Sequence, residues 1–172
     1  MQLTPCQRRE VGRNVTAPEI RPKTTLVVSG SEEFGRYLQK IFCHPIFRYF
    51  QWTMRQVQTC RAALEFLNNH PVPVILSWNH LPDGTWTDVL HQTALMIHPP
   101  LLIVSYQPVG RYLWSEVLSL GGYDVLIKPF GPQDVFRQIT LAWEHWKEGA
   151  SRFDGSRSRS SGFYADQRKL PQ

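Results

Sequence analysis

The sequence predicts an α/β fold, a doubly wound parallel sheet of five strands with five helices. Three observations predict it. Short apolar runs of strand length alternate with helical stretches over residues 24–148, the pattern of repeated βαβ units. Most of the runs are apolar, as strands covered on both faces are, while Phe50 to Val57 alternates loosely. The clearest unit, residues 101–130, passes from an apolar run (Leu101 to Val104) through a helical stretch to a second run (Val125 to Ile127). Gly121-Gly122 closes its helix, because glycine takes the left-handed conformation a helix C-terminus needs.

Residues 1–23 hold Pro5, Pro18 and Pro22 and little periodicity, so they read as a basic, disordered tail. Thr24 to Val28 is β-branched and apolar and reads as the first strand. Ser29 with Glu32 three residues on suggests a capping box. The helix that follows places Phe34, Leu38, Ile41 and Phe42 on one face, and Pro45 ends it. Phe50 to Val57 is the second strand. Thr59 caps the second helix, with Ala63, Leu64 and Leu67 inward, and Pro71 and Pro73 bound its exit. Pro73 to Ser77 is the third strand, followed by a turn-rich loop from Trp78 to Gly84.

Thr85 to Met96 is the third helix, with Val89, Leu90 and Thr93 inward, and residues 101–130 follow it. Pro132 sits in a first helical turn, where proline is tolerated. The last helix runs to about Lys147 with Val135, Ile139, Ala142 and Trp143 on one face. Residues 149–172 are rich in Ser, Arg and Gly and read as a disordered tail. The organisation is therefore a tail (1–23), one domain (24–148) and a second tail (149–172).

At 172 residues with 42% apolar side chains, the chain can fill one core. No apolar run approaches the roughly 20 residues of a membrane helix. The opening MQLTPCQRREVG has no apolar centre, so it is not a secretory signal. Cys6, Cys43 and Cys60 are odd in number and lack metal-type spacing, which suits a reducing cytoplasm. His44, His70, His80, His91, His98 and His145 show no paired metal spacing either. Ser29-Gly30-Ser31 holds one glycine, too few for a phosphate-cradling loop. No metal, cofactor or catalytic residue is expected.

The net charge of +5 belongs to the ends. Residues 1–23 and 149–172 each carry five basic against two acidic side chains, and the domain between carries nine against ten. A basic tail can hold nucleic acid electrostatically. The composition of a solvated, flexible end accounts for these tails more simply.

Ser105 at the end of the fourth strand, Lys128-Pro129 at the end of the fifth, Leu81-Pro82-Asp83-Gly84 after the third, and Gly121-Gly122-Tyr123-Asp124 fall in an order that resembles the CheY-like receiver domain of response regulators. The resemblance implies a flavodoxin-like sheet of order 2-1-3-4-5, with ligands at the carboxyl ends of the strands. It also implies a cis Lys-Pro bond. It implies a bacterial, cytoplasmic role in two-component phosphorelay signalling, carried out by a non-enzymatic module.

A working receiver needs an aspartate that attacks a phosphoryl donor, and an acidic pair that with it binds magnesium. Four residues before the proline of Leu81-Pro82-Asp83-Gly84 stands Trp78, which has no nucleophilic oxygen. The acidic pair aligns with Ser29 and Gly30. Ser105 and Lys128, which in a receiver bind the phosphoryl group, remain. Ser29, Gly30, Trp78, Ser105 and Lys128 therefore make a degenerate phosphorylation pocket. Glu32 and Glu33 read as first-turn helix acids favoured by the macrodipole. Asp83 reads as a turn residue, and Ser77 faces away from the pocket by strand alternation. Lys128 is free to bond backbone carbonyls or to sit over Trp78.

Receivers commonly meet partners through the fourth helix, fifth strand and fifth helix. Here that region offers Tyr112, Trp114, Tyr123 and Trp146 as contact residues, aromatic rings being enriched in interface hot spots. Phe136 and Trp143 read as core. The aromatic position three residues before the lysine holds Val125. The expected function is phosphorylation-independent binding to a signalling protein, with a homodimer allowed and no membrane contact. The alternatives are an orphan regulator holding nucleic acid through its tails and a flavodoxin-like small-ligand or enzyme domain.

Overall fold

The computed structural model describes residues 23–107 and 113–160. Its elements are β1 (Lys23–Val28), α1 (Glu32–Phe42), α2 (Pro45–Tyr49), β2 (Trp52–Val57), α3 (Cys60–Asn69) and β3 (Val74–Trp78). Then come β4 (His80–Leu81), β5 (Gly84–Thr85), α4 (Trp86–Thr93), β6 (Leu101–Tyr106), α5 (Leu113–Leu120), β7 (Asp124–Ile127) and α6 (Pro132–Ser160). The five long strands form one parallel sheet of order β2-β1-β3-β6-β7. In long strands alone this is the expected 2-1-3-4-5.

Alternation along the strands divides the core between the two faces of the sheet. Leu26, Val28, Ile75, Leu102, Val104 and Val125 pack with Ala63 and Leu67 of α3, Val89 of α4 and Val117 of α5. Val27, Val74, Leu76, Ile103 and Leu126 pack with Phe34 and Leu38 of α1, Phe47 of α2, and Val135 and Ile139 of α6. Each large side chain so buried contributes about 1.5–3 kcal/mol. Gly121 takes φ +99°, which is why glycine stands at the end of α5.

The structure corrects several boundaries. The N-cap of α1 is Ser31, whose hydroxyl accepts the Phe34 N–H at 3.2 Å. Ser29 instead accepts the Ser31 N–H at 3.1 Å. Pro45, besides following α1, opens α2 behind the His44 cap, so there are six helices among the described residues. β2 starts at Trp52, after Gln51 at φ 59°. The loop after β3 contains the β4–β5 hairpin. Finally α6 continues 13 residues beyond Lys147, to Ser160, through residues expected to be disordered. The tails at 1–22 and 161–172 lie outside the described residues.

Candidate functional site

β1, β3, β6 and β7 bring their carboxyl ends to one edge of the sheet, and with them the five pocket residues. Trp78 on β3 is paired with Ser105 on β6, and Ser105 with Leu126 on β7. Lys128 follows directly, its N–H donating to the Tyr106 carbonyl at 3.2 Å, and the Lys128–Pro129 bond is cis.

Trp78 is half-buried and packs between the two halves of the core. Its ring lies 4.6 Å from that of Phe34, tilted by 45°. The Lys128 ammonium stands over three rings, with Nζ 4.6 Å from the Trp78 centroid, 4.8 Å from Phe34 and 5.5 Å from Tyr37. Among the described residues, Lys128 thus takes aromatic rings, the indole included, rather than backbone carbonyls as the neighbours of its ammonium. Burial pulls its pKa below the usual lysine value, and the nearby Glu33 carboxylate partly offsets that pull. The Tyr37 hydroxyl donates to the Phe130 carbonyl and ties α1 to the turn after β7.

The side chains at the other positions differ in what they do. Ser105 is fully buried, and its Oγ has no hydrogen-bond partner among the described residues. Ser29 spends its hydroxyl on the turn into α1, and its N–H donates to Val57 at 2.9 Å. A Cβ on Gly30 would lie 2.6 Å from Pro82 Cγ and 2.7 Å from Cδ, so any side chain there displaces the proline. Asp83 accepts the N–H groups of Cys60 at 2.7 Å and Arg61 at 3.1 Å, at the start of α3. Those bonds hold its carboxyl below the usual carboxylate range. Burial, reinforced by Asp83, pushes the Cys60 thiol up to about 11, which makes it a poor nucleophile.

Of the residues expected to make contacts, Trp114 is 54% exposed, and Trp146 and Tyr123 are half-buried. The Tyr123 hydroxyl pairs with His145 Nδ1 at 2.6 Å. Tyr112 lies outside the described residues. Phe136 and Trp143 pack against the core. Leu118 on α5, Ile127 on β7 and Leu141 on α6 are also exposed, and sequence reasoning missed them. It also missed that Phe34 and Tyr37 wall the lysine; their three-residue spacing on α1 was the available signal.

No protein-family model matches the chain, and no curated protein matches it in sequence. Solved structures match it in shape. The signal receiver domain of an HD domain-containing protein from Pseudomonas fluorescens superposes with a TM-score of 0.67 at 20% identity, over 80% of this chain and 99% of that domain. A CheY-like response regulator receiver domain from Methanospirillum hungatei gives 0.63 at 16%, over 75% and 99%. The beryllofluoride-activated NtrC4 receiver domain, solved as a dimer, gives 0.62 at 22%, over 72% and 98%. The chain has the receiver-domain fold.

In a receiver fold a magnesium ion would need carboxylates converging on the carboxyl edge of the sheet. Among the described residues, no three His, Cys, Asp or Glu gather to hold a metal ion. The positions aligned with that task hold Ser29, Gly30 and Trp78, and Glu33 is a single carboxylate. The residues do not fit the ion.

Proposed function

We propose that the chain is a pseudo-receiver, a stand-alone atypical response regulator of two-component phosphorelay signalling. It acts by protein–protein contact that does not depend on phosphorylation, and it is not an enzyme. One observation carries this reading: the Trp78 indole occupies the position aligned with the phosphoacceptor, with the Lys128 ammonium over its ring. A carboxylate nucleophile is missing there, and Gly30 against Pro82 leaves no room for a neighbouring acid. The exposed apolar surface of α5, β7 and α6, centred on Trp114, Leu118, Ile127 and Leu141, is the contact face. Its occupant is a signalling protein or a second copy of the chain.

The test has two arms. Wild-type protein incubated with acetyl phosphate and magnesium should show no phosphoryl adduct by intact mass. Pull-down with the wild type should recover a signalling protein that the W114A/W146A variant loses. A phosphoryl adduct would sink the reading, and partners retained by the variant would remove the face.

A further inference from the structure

Beside the ring-walled lysine lies an open cleft of about 910 Å³. Among the described residues its charged lining is mainly cationic: Arg36, Lys40 and Lys128 border it, against one carboxylate, Glu33. Arg36 and Lys40 stand four residues apart on α1, one helical turn, so they project from the same face. Lys128 enters from the end of β7. Tyr37 and Pro129 add apolar surface to the same lining.

Three cations around one concavity concentrate small anions there. A solvated helix face would present similar charges, but it would not include a lysine held half-buried against Phe34, Tyr37 and Trp78. Among the described residues of the cleft, Glu33 alone brings a negative charge toward that lysine. Arginine's planar fork matches phosphate oxygens two at a time, while lysine acts as a point charge. The space far exceeds a single phosphate and falls within the roughly 300–1,000 Å³ of small-molecule sites.

We propose that this cleft binds a small diphosphate ester. Arg36 and Lys40 hold one phosphoryl group and Lys128 the other, with the organic portion over Tyr37 and Pro129. This goes beyond partner binding and does not rest on it, since none of the exposed residues of α5, β7 and α6 lines the cleft.

Isothermal titration of the full chain with pyrophosphate, ADP and citrate at low salt tests it. Pyrophosphate and ADP should bind saturably and more tightly than citrate. In R36Q/K40Q both should weaken by roughly ten-fold or more, the loss expected when charge-assisted bonds are removed. The control R55Q/R61Q removes equal charge from exposed positions on β2 and α3 and should bind as the wild type does. All four substitutions are at exposed positions, and circular dichroism checks that both variants fold. Absent binding, citrate binding as tight as pyrophosphate, binding of pyrophosphate without ADP, or equal weakening in both variants overturns the proposal.

Discussion

Lys128 and Trp78 meet across an intervening strand: the ammonium, from the end of β7, lies 4.6 Å from the indole centroid, at the end of β3, with β6 between them. Ser105 lies on that intervening strand, in register with Trp78. A cation over an indole is attractive by about 0.5–2 kcal/mol. Burial of the ammonium opposes this, which is the direction in which its pKa moves. The contact therefore persists largely because the indole is anchored from below by Phe34 and by both halves of the core.

That anchoring sets the cost of losing the ring. Trp78→Ala should destabilise the domain by roughly 2–4 kcal/mol, at or below the range for fully buried aromatic residues because Trp78 is half-buried. Trp78→Phe keeps a ring beneath the lysine and should cost less than half as much. Urea unfolding of the three proteins measures both. Equal costs would show that packing volume plays no part.

Ser105 offers the opposite case. Its buried hydroxyl lacks a partner among the described residues, and such a group costs about 1–3 kcal/mol. Ser105→Ala should leave the domain as stable as before, or more stable by about 1 kcal/mol, in the same unfolding experiment. A loss of stability would mean that the hydroxyl makes a bond in solution.

Restoring the acceptor alone should not restore phosphorylation. In Trp78→Asp the new carboxylate still faces Ser29 and Gly30, which bring no carboxylate for a magnesium ion. Intact mass after acetyl phosphate and magnesium should show no adduct. Adding Gly30→Asp should lower the unfolding midpoint further, because its Cβ meets Pro82 at 2.6 Å. An adduct on Trp78→Asp would show that the chain finds its cation ligands elsewhere.

Much of this was legible before any coordinates. Apolar runs located β1, β3, β6 and β7, since strands covered on both faces are rich in apolar residues, while β2, at the edge of the sheet, showed only a loose alternation. Leu81-Pro82-Asp83-Gly84 located Trp78, and Lys128-Pro129 located the lysine. What stayed hidden depends on long-range packing or on competing local preferences. Phe34 reads as helix core from its spacing, which tells its face but not that the ring reaches the end of β3. Pro45 stops one helix and suits the first turn of another equally well, so α2 was missed. The extension of α6 runs through Gly155 and several serines, residues of weaker helix propensity.

Asp83 predicts a pH dependence. Its bonds to the Cys60 and Arg61 N–H groups exist only in the folded chain and lower its folded pKa. A lowered carboxylate pKa adds stability that is present above the unfolded value, about 3.9, and lost as pH falls through the folded one. Asp83→Asn should therefore be less stable than wild type at neutral pH, and the gap should close below about pH 4. Urea midpoints measured against pH test this, and a gap unchanged in acid would assign the effect to something other than the charge.

Trp114 and Trp143 separate contact from core. Trp143 packs on the second half of the core and lies beneath the Lys147 ammonium at 3.5 Å and the Lys23 ammonium at 4.0 Å. Trp143→Ala should cost roughly 2–4 kcal/mol, since it removes packing together with both cation contacts. Trp114 is 54% exposed, so Trp114→Ala should change stability by no more than about 0.5 kcal/mol. If the α5–α6 surface is a docking face, Trp114→Ala should nevertheless lower partner recovery, or self-association measured by analytical ultracentrifugation. A variant that binds as before at unchanged stability would leave Trp114 an ordinary exposed side chain.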